Sequence, residues 1–276
     1  MKNSIKVESI RFDKLSKLFK QQIFAIPNIQ RDFVWNKKKI VLFLDSIKKH
    51  YPIGSFLICK IDSRKAQQVK ENVILPEFNE KKNKECYLVI DGQQRLSTLY
   101  SVISGNEISY LNNKSPINTE NICLSNGKNK NSEFEFYKEV GKRYCLKNVL
   151  DKSIKEKNKK IKEVRTAFEK YSFPFIFIEG YEPEKMKEAF IRLNKGGTQL
   201  SALDQIFTES YNKDVDFKTH INQLTKHGLK YGFDNIDQRS IVKAFAANLG
   251  QKDFVGSQNQ HNFAKDLADP KNKLSK

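Results

Sequence analysis

Histidine and cysteine are too few and too scattered in this 276-residue chain to suggest a metal centre. Cys59, Cys86, Cys123 and Cys145 include no Cys-x-x-Cys pair. His50, His220, His227 and His261 stand at no ligand spacing from them or from one another, which argues against a structural zinc site. The cysteines are expected to be reduced and buried as small apolar residues, as in a cytoplasmic protein. No apolar run approaches the roughly 18 residues of a bilayer span. Met1-Lys2-Asn3-Ser4 lacks the apolar stretch of a secretory signal. No membrane partner is expected.

Acidic residues are also in deficit, 32 against 50 basic ones, for a net charge of +18. An excess of this size suggests a polyanion, with nucleic acid the leading candidate. Arginine is scarce, only 8 of the 50 basic residues. Where lysine is the default cation, an arginine marks a place that needs a planar, forked, always-charged donor. Arg31, Arg95 and Arg192 fall inside the three motifs described below. With 38% hydrophobic and 30% charged residues the chain is globular, one large domain or two ordinary ones.

The periodicity predicts a short amphipathic helix over 7–22, a strand over 23–26 stopped by Pro27, and a helix capped by Asn36 with Ile40, Phe43, Leu44 and Ile47 inward. Tyr51-Pro52-Ile53-Gly54 makes a turn before an apolar strand over 55–59, and residues 62–85 are polar and loop-like. Cys86-Tyr87-Leu88-Val89-Ile90 is short and rich in strand formers, an interior strand leading into a helix that carries Leu96, Leu99, Tyr100 and Ile103. Hairpins and loops are expected over 105–150, then a very basic helix opened by Asp151, then a strand over 173–178 placed at an edge or start by Pro174. Beyond residue 182 the pattern is helical, with one helix bearing Met186, Phe190 and Leu193, another begun by Ser201-x-x-Asp204, and another capped by Asp237 with Ile241, Ala244, Phe245 and Leu249 inward. The expectation is an α/β core over 1–180 and a helical lobe over 181–276.

Asp91-Gly92-Gln93-Gln94-Arg95 lies between the interior strand and its helix. One reading makes Asp-Gly a turn, with Asp91 capping the helix and Arg95 on its surface. Against it, a cation in the first helical turn opposes the macrodipole. A bound anion reverses that sign. Amides at a helix start, a glycine that admits a ligand to the backbone, two carboxamides and a guanidinium together make a phosphate site. Asp91, at the strand end, could hold Mg²⁺ bridging those phosphates. In a second motif, Ile26 to Trp35, Gln30 and Arg31 can address phosphates or bases while Phe33 or Trp35 stacks; equally, Phe33 and Trp35 are core and Arg31 pairs with a carboxylate. In a third, Phe190 to Ser201, Asn194, Gly196 and Gly197 either reverse the chain after a helix or present amides to an anion, with Arg192 or Lys195 adding charge.

Taken in order, Ile-Pro-x-x-Gln-Arg-x-Phe-x-Trp, Tyr51 to Ser55, Val89 to Leu99 and Arg192 to Ser201 resemble the N-terminal domain of GmrSD-type, modification-dependent restriction proteins, over roughly residues 10–210. The resemblance implies a ParB- and sulfiredoxin-like fold and a nucleotide-binding, often NTP-hydrolysing module of bacterial defence against phage. It places the nucleotide at Asp91, Gly92, Gln93, Gln94 and Arg95, where the phosphate argument also arrives. Asp91 would bind Mg²⁺, Arg95 the distal phosphates, and Gln93 and Gln94 the attacking water or phosphate oxygens. Gln30, Arg31, Asn194, Gly196 and Gly197 would complete the pocket. The other reading is a non-hydrolysing DNA-binding adaptor in which nucleotide switches a clamp. Lys155, Lys159 and Lys160 are candidates for a DNA track. Ile29 stands where that family usually carries an aromatic, and no His-Asn-His nuclease pattern is present, so a nuclease half is expected on a partner or a separate domain.

Overall fold

The computed structural model describes residues 3–27, 30, 32–64, 69–70, 75, 78–79, 81–108, 115–125, 132–151, 158–181, 185, 192, 202–210, 217–230, 237–248, 263–264 and 267. The chain divides into two compact units: Met1–Pro27 with Asp32–Glu182, and Asn28–Arg31 with Pro183–Lys276.

The first unit is built on a mixed sheet. In chain order its elements are β1 (Ser4–Arg11), α1 (Phe12–Lys20), β2 (Phe24–Pro27), α2 (Lys37–Lys48), β3 (Phe56–Asp62), β4 (Val69–Lys70), β5 (Glu85–Asp91) and α3 (Gln93–Ser104). Two small hairpins follow, β6 (Glu107–Ile108) with β7 (Ile117–Asn118) and β8 (Ile122–Leu124) with β9 (Phe134–Phe136). Then come α4 (Leu146–Leu150), α5 (Lys159–Lys170) and β10 (Ser172–Glu179). The six-stranded sheet has the order β1-β10-β3-β5-β2-β4. Pairing is antiparallel at β1–β10, β3–β5 and β2–β4, and parallel at β10–β3 and β2–β5.

Alternation along the strands supplies the core. Phe173, Phe175 and Phe177 of β10 are buried with Phe56 and Ile58 of β3 and Val89 of β5, and the same cluster takes Leu15, Ile40, Leu44, Leu96, Val164 and Phe168 from the helices. Phe56 and Phe175 stack with centroids 4.7 Å apart. Each such ring contributes about 1.5–3 kcal/mol by leaving water, so these aromatics fix the strand register firmly. A one-residue slip would turn all of them outward.

Two local expectations change and a third is resolved. Residues 4–11 form a strand and only Phe12–Lys20 is helical. Val7 and Ile10 suit a helix period, yet Ser4–Arg11 pairs residue for residue with Ser172–Glu179, a partner too distant in sequence for periodicity to see. Of the two places Pro174 allows, the start of the strand holds: β10 is interior, and its ladder to β3 begins one residue later, at Phe175. The lost N–H is therefore outside that ladder. The basic helix starts at Lys159 with Asn158 as its cap, accepting from the Lys160 amide at 2.9 Å, and not at Asp151. Asn36 caps α2 as its sequence predicts, with Lys39 N–H donating to its Oδ1 at 3.0 Å.

The second unit is helical among its described residues: α6 (Ala202–Ser210), α7 (Phe217–Lys230) and α8 (Gln238–Asn248). Its core gathers Ile206, Phe207, Phe217, Ile221, Val242, Ala246, Phe263 and Leu267. Asp237 caps α8 through the Ser240 amide at 2.7 Å. The inward face of α8 is Val242 and Ala246, flanked by half-buried Ile241 and Phe245, while Ala244 is exposed. Met186, Phe190 and Leu193 of the next expected helix lie outside the described residues, as does Leu249, while Lys185 and Arg192 of the same stretch are helical.

Candidate functional site

Strand β5 runs between β3 and β2, an interior position, and delivers Asp91 at its C-terminal end opposite Leu57. The chain turns at Gly92, whose φ of +92° is left-handed. A Cβ there would stand 2.8 Å from the Phe56 ring, so both backbone and space require glycine. Helix α3 begins at once, its first turn closed by Leu96 N–H donating to the Gly92 carbonyl at 2.9 Å. No side chain caps it and no acid occupies its first turn. The amides of that turn and the positive end of the helix dipole are left for a ligand. Asp91, a possible cap from sequence, turns instead to Arg95, accepting from Nη2 on Oδ2 at 3.0 Å.

Arg95 is the most tightly held member. Nη1 donates to the Ile53 carbonyl at 2.6 Å, and the guanidinium lies 5.3 Å from the centre of the Phe56 ring. Its side chain is 15% exposed against 61% for Asp91. Gly54 makes room for it: φ is +79° and a Cβ would lie 2.4 Å from Nη1. The turn before β3 is thus moulded around an arginine of α3. In the sequence Tyr51 to Ser55 and Arg95 stand in separate motifs with nothing to connect them. The available signal was a glycine in a tight turn entering a buried strand.

Gln94 commits its carboxamide to the first motif. Its Oε1 accepts from Val34 N–H at 2.8 Å and Trp35 N–H at 3.3 Å, and its Nε2 donates to the Asp32 carbonyl at 3.0 Å. Gln93 is also buried, and makes no side-chain hydrogen bond to a described residue. Of the aromatics held open for stacking, Phe33 is core and Trp35 is half-buried against Phe43, centroids 5.4 Å apart.

Asp91, Gly92, Gln93, Gln94 and Arg95 therefore form one corner. Gln30 is buried in the second unit, where its carbonyl accepts from Lys218 Nζ at 2.8 Å. Arg31, Lys155, Asn194, Gly196 and Gly197 lie outside the described residues. Lys159 and Lys160 open α5; Lys159 is exposed, and Lys160 Nζ donates to the Ser125 carbonyl at 3.1 Å.

Among the described residues no group of three or more His, Cys, Asp or Glu is placed to hold a metal. A Mg²⁺ carried in with phosphates needs less, since it keeps several waters and takes one or two carboxylates. Asp91 fits that demand: it is exposed, and only Oδ2 is engaged by a described residue. The four cysteines are buried, as expected, and none is disulfide-bonded. Cys123 and Cys145 have sulfurs 3.6 Å apart, a proximity their 22-residue separation did not suggest. Burial pushes the thiols of Cys59, Cys86 and Cys123 up to about 12, aided by Glu179, Cys59 and Cys145 respectively. No helix among the described residues is long and apolar enough to cross a membrane.

Compared with known proteins, residues 15–211 match the family model of the GmrSD restriction endonuclease N-terminal domain. An uncharacterized protein of Methanocaldococcus jannaschii is 25% identical over 244 residues, covering 72% of this chain and 41% of the archaeal protein. The chain thus spans about two-fifths of the length of that curated relative.

Proposed function

The chain belongs to the GmrSD restriction endonuclease N-terminal domain family, and from that premise we propose a cytoplasmic, ParB-like module that binds and hydrolyses a nucleoside triphosphate with Mg²⁺, in restriction of phage DNA. One observation carries the reading: α3 starts without a cap or an acid, directly beside an exposed carboxylate and a held guanidinium. Phosphate oxygens would sit on the first-turn amides. Arg95 supplies fixed positive charge, which needs no reorganisation when phosphate charge shifts. Asp91 would hold the nucleotide's Mg²⁺, which neutralises phosphate charge when bound. The Gln93 carboxamide is the group to orient a water, while Gln94 holds the Asp32–Trp35 segment.

Electrostatics argue for the cation. The Asp91–Arg95 pair is neutral overall, so only the helix dipole attracts a polyphosphate, while the exposed carboxylate repels it. A divalent ion at Asp91 removes the repulsion. Calorimetric titration with Mg²⁺-NTP, followed by phosphate-release assays, tests the proposal; absence of binding for all four common NTPs refutes it.

A nucleotide-switched clamp without turnover is the second reading, favoured by Gln94. This residue ties the corner to Asp32–Trp35, and the chain immediately before that segment, Asn28–Arg31, groups with the helical unit. Nucleotide-dependent rearrangement with no steady phosphate release would select it.

A further inference from the structure

We propose that a second anion site, at the start of α5, takes a phosphodiester group of a nucleic-acid strand; the inference rests on the DNA-acting reading above and assigns its contact surface. The site is a cavity of about 470 Å³ lined by Ser125, Lys142, Arg143, Tyr144, Asn158 and Lys160, floored by Leu124 and Ile161. Among the described residues its lining contains three cations and no acid. Helix α5 opens onto it with no acid in its first turn and only the neutral Asn158 as cap, so the positive end of the dipole is not offset.

An orphaned hydroxyl supplies the independent observation. Ser125 is 6% exposed, and its Oγ hydrogen-bonds no described group. Its backbone is fixed on both sides: the amide donates to the Glu133 carbonyl at 2.8 Å and the carbonyl accepts from Lys160 Nζ at 3.1 Å. A buried polar group without a partner costs free energy, and here it lines a cationic cavity. An anion oxygen would satisfy it. Arg143 is preorganised nearby, donating to the Glu139 carbonyl at 3.0 Å and stacked 4.2 Å from the Tyr137 ring centre.

Two features favour a strand over a free phosphate. The volume exceeds the need of one tetrahedral anion and falls in the range of small-molecule sites. Tyr144, 44% exposed in the lining, offers a ring on which a base can stack. Of the lysines that the sequence singled out, Lys160 lines this cavity and Lys155 lies outside the described residues; Lys142, Arg143, Ser125 and Tyr144 come from segments with no recognisable motif.

The test measures fluorescence anisotropy of a labelled duplex oligonucleotide across a salt series, with the whole chain and the variants Ser125→Ala, Lys142→Gln and, as a charge control, Lys82→Gln. Ser125→Ala should weaken binding about tenfold and leave the thermal midpoint unchanged or slightly raised, since the hydroxyl bonds nothing described. Lys142→Gln should make the slope of log K against log salt shallower by about 0.9, with Lys82→Gln changing it less. Wild type that binds no DNA refutes the DNA-acting reading and this site with it. Wild type that binds with equal slopes in all variants refutes this site alone. Inorganic phosphate is titrated separately: heat lost in Ser125→Ala, with DNA binding untouched, would make the cavity a free-anion site and overturn the proposal.

Discussion

Replacing Arg95 by alanine removes three contacts at once. The bond to the Ile53 carbonyl has a charged donor and is worth about 1.5–3 kcal/mol. The cation–π contact with Phe56 adds about 0.5–2 kcal/mol at this depth. The pair with Asp91, exposed on the acid side, contributes at most about 1 kcal/mol. These share one side chain and do not add fully, so the expected loss is about 3 kcal/mol. In a unit of this size that lowers the melting midpoint by about 6–12 °C. Gly54→Ala sharpens the test. In wild type the new Cβ meets Nη1 at 2.4 Å, and the guanidinium cannot swing away without losing its three partners. It also meets left-handed backbone, a strain of about 1–2 kcal/mol that persists in any background. Gly54→Ala should therefore cost only that strain in the Arg95→Ala background and distinctly more in wild type. Urea denaturation of the four proteins measures the coupling. Additive effects within about 0.5 kcal/mol would refute the packing of Arg95 against Gly54.

Gln94→Ala should release the Asp32–Trp35 segment and shift the emission of Trp35, the chain's single tryptophan, to the red; unchanged emission would show the segment held by other contacts. If Asp91 holds the nucleotide's Mg²⁺, Asp91→Asn should bind NTP with less dependence on Mg²⁺ while hydrolysis falls, as calorimetry with and without EDTA and a phosphate assay would show; unaltered Mg²⁺ dependence counts against that role. Cys59, Cys86 and Cys123, whose thiols are pushed from 9.0 to about 12, stay protonated when folded after they have ionised in the unfolded chain. Their contribution is complete below pH 9 and is lost as pH rises towards 12, by about 1.4 kcal/mol per pH unit for each cysteine. Stability measured from pH 8 to 10.5 should fall accordingly, and less steeply in Cys59→Ala; a flat profile refutes the burial argument. Finally, with Asp91 as the motif carboxylate and no metal cluster among the described residues, the chain should not cut phage DNA in Mg²⁺ or Mn²⁺ unless a nuclease domain is supplied. Cutting lost in Asp91→Ala would overturn this.

Local signals in the sequence located what local physics decides. The Asn36 cap, the interior β5, the Asp91–Gly92 turn and the Asp237 cap all depend on a few adjacent residues, and each stands where its pattern indicates. Non-local pairing was not legible. β1 becomes a strand because β10, more than 160 residues later, offers it a ladder. In the candidate corner, the residue types and their strand-to-helix placement were legible. The division of labour between the two glutamines was not, because it depends on which one faces the backbone of residues 32–35. The same holds for Gly54, whose purpose is visible only once Arg95 stands against it.

Arginine scarcity has a different meaning in the folded chain than a ligand-contact reading gives it. Arg95 donates to Ile53 and stacks on Phe56; Arg143 donates to Glu139 and stacks on Tyr137. Arg165 Nε donates to the Val149 carbonyl at 2.7 Å, and Arg64 grips Asp62 with both Nε and Nη2. In each case the planar fork is used inside the chain, bonding carbonyls, carboxylates or ring faces in ways an ammonium cannot reproduce. Most of the excess charge that would meet a polyanion falls to lysines, many of them exposed, although Lys218 and Lys160 also bond backbone carbonyls. Substituting exposed lysines such as Lys142 should therefore weaken DNA binding with little effect on the fold, whereas substituting Arg95 or Arg165 should act on the fold first, and on any ligand through it.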